Sequence, residues 1–147
     1  MAGINPYPIQ QRWVQYMKDT FAQDVFEGGV PTPETIRRDA NGQIVPYLVA
    51  RFSDISRDYR QNSISSARLD NYYSFLDVIC VSGYDTTSRN LAGYVMDKMI
   101  GASVDETGEM NKVGGGGEFE VLSGRDKPAA YCVSVGFRYT YNFNNQA

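Results

Sequence analysis

The side chains that could carry chemistry are few and lie far apart along the chain. Cys80 and Cys132 each sit inside an apolar segment, Asp77 stands midway along Tyr72–Val81, and Glu118 and Glu120 are two residues apart. On a strand that last spacing puts both carboxylates on one face. The chain has no histidine, so the commonest general base and metal ligand is missing. Serine–histidine and cysteine–histidine catalysis are therefore excluded. Zinc would need both cysteines plus carboxylates at a spacing that suits no closed tetrahedral site. The glycines Gly114–Gly117 lack the following Lys-Ser/Thr of a phosphate loop and read as a flexible connection. Counted from Asp105, the acidic loop has Met110 where a calcium loop needs glycine and Gly116 where it needs a bidentate glutamate. No catalytic residue, metal or cofactor is expected.

The remaining acids have structural readings. A lone buried charge is costly, so Asp77 is expected to face a rim or pair with an arginine rather than act as a buried acid. Glu118 and Glu120 could bind a cation or act as an acid–base pair, but carboxylates on an edge strand also guard it against aggregation. Cys80 and Cys132 are expected as reduced core thiols of a protein made in a reducing cytoplasm.

Elements must then be found to position these groups. Pro6 and Pro8 open a helix whose apolar residues Ile9, Trp13, Met17, Phe21 and Val25 recur every four positions, ended by Gly28–Gly29 and by Pro31 and Pro33. Asn41–Gly42 predicts the turn of a hairpin over about Thr35–Ser53, with Pro46 placing its second arm at an edge or bulge. Asp54–Asp70 has no apolar period and reads as a long exposed connection. Tyr72–Val81 is apolar on both faces except for Ser74 and Asp77, which marks a central strand. A helix follows, capped by Asp85, Thr86 or Thr87 and carrying Leu91, Tyr94, Val95, Met99 and Ile100 up to Gly101. A second hairpin joins Glu118–Leu122 to the final ribbon. The expected fold is a single α+β domain over residues 1–147: a mostly antiparallel sheet with two amphipathic helices on one face, in the order α-ββ-β-α-ββ.

The ribbon raises its own question. Tyr131, Val133, Val135, Phe137, Tyr139, Tyr141 and Phe143 alternate with small or polar residues for thirteen positions. Tyr131, Val133 and Val135 are expected in the subunit core. Tyr139, Tyr141 and Phe143 are expected beyond the reach of the two helices, buried against another chain. In the long connection Asp54, Arg57, Asp58, Arg60, Arg68 and Asp70 alternate in sign, and arginine outnumbers lysine 10 to 4. Such a pattern suits contacts between identical subunits, because the guanidinium fork binds carboxylates at two points. A net charge of −3 gives no electrostatic reason to hold a phosphate backbone, and no stretch approaches a membrane span, so neither nucleic acid nor membrane is expected as a binding partner.

The helix "PIQQRWVQYMKDTF", the segment "IVPYLVARFS", the long polar connection, "YYSFLDVICVSGYDTTSRNLAGYVMDKMIG" and the closing aromatic ribbon together resemble the tail terminator proteins of long-tailed bacteriophages. The resemblance spans nearly the whole chain and rests on element order and character rather than on a short motif. It implies a structural virion protein of the tail or neck, assembled in the bacterial cytoplasm as a homohexameric ring. Such a ring caps the end of the tail tube, stops its polymerisation and offers the surface to which the head attaches. The implied partners are the protein itself, the tail tube protein and a head–tail connector or stopper protein, with DNA only in transit through the channel. Another neck or tail-tube ring protein would share these properties, and a small-molecule-binding or enzymatic α+β domain is the alternative of a different class.

Overall fold

The computed structural model describes residues 6–28, 35–53, 56–57, 71–104, 107–114, 118–121 and 130–142. Helix α1 (Tyr7–Thr20) buries Ile9, Trp13, Val14 and Met17, the positions its four-residue spacing selects. It stops earlier than that spacing suggests. Phe21 takes an extended conformation while its N–H still bonds the Met17 carbonyl, and Asp24–Glu27 then form strand β1. Val25 packs on the helix side of the sheet and Phe26 on the other. Two alternating residues are too few for periodicity to separate a strand from a continuing helix, and pairing with the sheet decides the matter.

Strand β2 (Tyr47–Phe52) lies parallel to β1 and antiparallel to β4 (Asn71–Ser82). The two-residue β3 (Ser56–Arg57) pairs with β4 near its start. After β4 comes α2 (Asp85–Met99), then β5 (Asn111–Gly114), β6 (Glu118–Val121) and β7 (Ala130–Asn142). Among the described residues these strands form one sheet in the order β1-β2-β4-β7-β5, with β6 also on β7. The fold is α+β, its sheet is mostly antiparallel, and the expected succession α-ββ-β-α-ββ is present with short β3 and β5 added. The first ββ pair is β1 with β2, not the hairpin expected over Thr35–Ser53. The Asn41–Gly42 turn does form, with Gly42 at φ 79 and one bridge from Arg38 to Ile44. That short loop folds over the sheet instead of extending it, and its Ile36 and Ile44 pack on Tyr47, Val49 and Val81.

Both helices lie on one face. Leu48 and Ala50 of β2, Leu76, Val78 and Cys80 of β4, and Val135, Phe137 and Tyr139 of β7 meet α1 and α2 in the main core. The helices touch each other through Phe21 and Tyr94, whose rings are 5.6 Å apart, and through the Tyr16 hydroxyl, which donates to the Lys98 carbonyl at 2.8 Å. The start of α2 is held by two buried serines. Ser88 Oγ donates to the Tyr131 carbonyl of β7 at 2.8 Å and lies 2.8 Å from Ser82 Oγ. Tyr84, rather than Asp85, Thr86 or Thr87, occupies the N-cap position. Tyr94 and Ile100, expected on the apolar face of α2, are 44% and 49% exposed, whereas Ala92 and Ser88 are buried. Between α2 and β5 the chain is not wholly polar loop, since Met110 enters the core and exchanges backbone hydrogen bonds with Gly101 and Ala102.

The length of β7 is explained within the subunit. It pairs with β4 through twelve register positions, Asn71 with Asn142 to Ser82 with Tyr131, while β5 and β6 line its other side. It is a central strand that both helices cover, α2 near Tyr131 and α1 near Tyr139.

Candidate functional site

Side chains alternate across a strand, so every β4 and β7 residue that does not meet the helices stands on the opposite face. One end of that outer face is closed by the turn segment, which buries Tyr47, Val49, Val81, Ala130 and Cys132. The other end is open. Tyr73, Phe75 and Asp77 of β4 stand there beside Arg51 of β2 and Arg138 of β7, with Phe75 across from Arg138 and Asp77 across from Arg51 in the ladder. The Tyr73 and Phe75 rings meet edge to face at 5.6 Å, and the Arg138 guanidinium lies 5.7 Å from the Tyr73 ring centre. Phe75 is 36% exposed, and Arg51 and Asp77 face solvent. Arg138 Nε is buried without an acceptor, so its guanidinium is fixed in place with donors still to satisfy.

The expected site residues fall differently. Tyr139 is not an interface residue: it is 1% exposed, with its ring 5.6 Å from Trp13 and 6.5 Å from Phe52. The physical reason is that α1 crosses the far end of β7, so the helix layer reaches further along the ribbon than its length suggested. Burial pushes the Tyr139 phenol up to about 12, with the neighbouring Ser74 hydroxyl acting in the opposite direction. Tyr141 pairs with Tyr72 in the ladder, and Arg57, in β3, is the partner of that same Tyr72; their side chains lie outside the described residues. Asp58, Arg60, Arg68, Asp70 and Phe143 also lie outside them, as does most of the connection Asp54–Asp70.

The acids and thiols are scattered as their spacing implied. Asp77 is on the solvent face opposite Arg51, not in a core. Glu118 and Glu120 lie in β6, paired to Val133 and Tyr131. Cys80 faces the helices while Cys132 packs on the outer face, so the sheet separates the two thiols and both are free. Burial raises both, Cys80 to about 12 with a further contribution from Cys132, and Cys132 to about 11. Neither is a poised nucleophile. Among the described residues no three metal-ligating side chains come together, and no helix is long and apolar enough to cross a membrane. A cleft of ≈ 460 Å³ lies beside β1, lined by Lys18, Phe21, Gln23, Val25, Thr35 and Arg37 among others. Arg37 forks onto Asp24 there, with Nε and Nη2 donating at 2.7 and 3.1 Å.

Tyr73, Phe75 and Arg138 were legible in one respect. The outer face of "YYSFLDVICV" holds Tyr73 and Phe75, and Arg138 belongs to the polar side of the ribbon. Neither strand alone shows that the register brings them together.

The fold and this surface define an α+β domain with a helix layer on one side of its sheet and a half-open aromatic and arginine surface on the other. No protein-family model matches the sequence, and no characterised protein matches it either.

Proposed function

We propose that the protein is a structural subunit that works by assembling with other subunits, and specifically that it forms the ring capping the tail tube of a long-tailed bacteriophage. In this reading a homohexamer docks on the last ring of the tube, stops its polymerisation and presents the surface to which the head attaches. The observation that carries the reading is the open patch of Tyr73, Phe75 and Arg138. Tyrosine and arginine are the residue types that anchor protein interfaces, and a rigid strand presents them at little entropic cost. The mixed order of helices and strands agrees with the resemblance noted in the sequence, and the acidic balance suits a channel through which DNA passes without adhering. Catalysis has no part in the reading.

The test is assembly at a tube end. Purified protein added to growing tail tubes is expected to form rings visible in negative stain and to fix tail length. A phage deprived of the protein is expected to make tails of uncontrolled length or heads left unjoined. A protein that stays monomeric beside tube ends, with tail length and infectivity unaffected by its removal, would overturn the reading.

A further inference from the structure

A ring of more than two identical subunits closes head to tail, so two different surfaces of one subunit must meet. Among the described residues the sheet ends in β1 on one side and in β5 with β6 on the other. At β1 the direction of the backbone can be worked out. Gly28 N–H donates to the Ala50 carbonyl at 2.9 Å. In a parallel ladder successive residues turn their N–H and C=O to opposite sides. Phe26 therefore shares the inward side with Gly28, and Val25 and Glu27 direct their backbone groups away from β2. The ≈ 460 Å³ cleft runs beside these groups, with Lys18 and Phe21 of α1 as one wall and Thr35 and Arg37 as another. Gln23, in its lining, has a buried Oε1 that lacks a donor. An edge of this kind is a template for one more strand.

We infer that the added strand is β6 of a second copy, so that β1 of one subunit pairs with β6 of the next and the sheet runs on around the ring. This rests on the ring reading and names its closing contact. Charge favours this occupant. Strand β6 reads Glu-Phe-Glu-Val, so Glu118 and Glu120 arrive at the edge that Lys18 flanks. Length agrees, since β1 and β6 each have four residues. The two edges lie at opposite sides of one continuous sheet, so the same contact can repeat from subunit to subunit until the ring closes. The patch at Tyr73, Phe75 and Arg138 is then left for the tube or the neck.

Three variants test the pairing in assembled rings. Glu27→Cys with Glu120→Cys in one chain is expected to give, on oxidation, a ladder of cross-linked species up to the size of the ring. Mixing the two single variants should give only dimers. Lys18→Glu is expected to weaken assembly about threefold to tenfold, and Lys18→Glu with Glu120→Lys to restore it. Glu27→Pro removes an outward N–H without touching the ladder to β2 and should weaken assembly in a monomer that still folds; should it unfold, the Lys18 and Glu120 exchange decides, because both changes are confined to charged side chains. Rings that form normally from Lys18→Glu and yield no ladder from the cysteine pair would overturn this contact while leaving the ring reading intact. Cross-linking of Glu27→Cys to the tube protein instead of to β6 would overturn it as well. Absence of any ring at tube ends would defeat the ring reading, and this contact with it.

Discussion

Replacing Tyr139 by alanine separates a core ribbon from an interface ribbon. The ring is 1% exposed and lies between Trp13 of α1 and Phe52 of β2. An aromatic side chain buries about 150–250 Å², which at about 25 cal/mol per Å² corresponds to roughly 4–6 kcal/mol of transfer free energy. Partial collapse of the site and burial retained in the unfolded chain reduce this, and aromatic-to-alanine changes in cores cost about 3–5 kcal/mol. Against a typical domain stability of about 5–15 kcal/mol that is a large fraction. Urea unfolding followed by tryptophan fluorescence reads the loss directly, because Trp13 is the only tryptophan and sits against the mutated ring. The midpoint should fall with little change in slope, since the surface exposed on unfolding is nearly the same. Tyr139→Phe keeps the ring and should cost only about 1 kcal/mol. A Tyr139→Ala monomer within about 1 kcal/mol of the parent, combined with lost assembly, would refute the placement of Tyr139 in the core and return it to the interface.

The outer-face change Tyr73→Ala with Phe75→Ala is expected to act in the reverse sense: a smaller loss of monomer stability, about 1–2 kcal/mol, with ring formation or docking at tube ends abolished in negative stain. Ser88→Ala removes the hydroxyl that bridges Ser82 Oγ and the Tyr131 carbonyl, leaving a buried acceptor unpaired at a cost of about 1–3 kcal/mol in chemical denaturation. Stability should also fall in alkali. Cys80, Cys132 and Tyr139 have folded pKa values raised to about 12, 11 and 12 from 9.0, 9.0 and 10.0, so the unfolded chain releases these protons first. Their contribution is complete below pH 9 and is lost as pH rises toward 11–12, each group adding at most about 1.4 kcal/mol per pH unit to the slope. Cys80→Ala should flatten the profile between pH 9 and 11 by one group's share, and an unchanged profile would count against its burial.

Much of the fold could be read from period alone. The fourfold spacing of Ile9, Trp13 and Met17, the doubly apolar "SFLDVICV" and the alternation of the closing ribbon each name an element whose side chains the structure buries as expected. What period could not supply was pairing. Val25 continues the helical spacing, yet it belongs to a strand because β2 offers a parallel partner at Leu48. The Asn41–Gly42 turn was correctly placed, but its arms were assumed to extend the sheet, whereas Ile36 and Ile44 instead lay the loop across the outer face. Local turn chemistry fixes a reversal of the chain without fixing what the arms then touch.

The same limit explains the misplaced interface. Seven large residues on one side of β7 drew attention to that side, and the excess length of the strand suggested a second chain to cover it. Length, however, is used by β4, which matches β7 residue for residue over twelve positions, and the large side chains are used by α1 and α2. The side of β7 that reads as small and polar, Cys132, Ser134, Gly136, Arg138 and Thr140, is the one left partly open, and it becomes an aromatic surface only because the neighbouring strand contributes Tyr73 and Phe75. A sheet face is a property of several strands in register, so a surface for partners can be assembled from residues that look unremarkable on each strand alone. For this subunit, substitutions on the aromatic side of β7 report on folding, and those on Tyr73, Phe75 and Arg138 report on assembly.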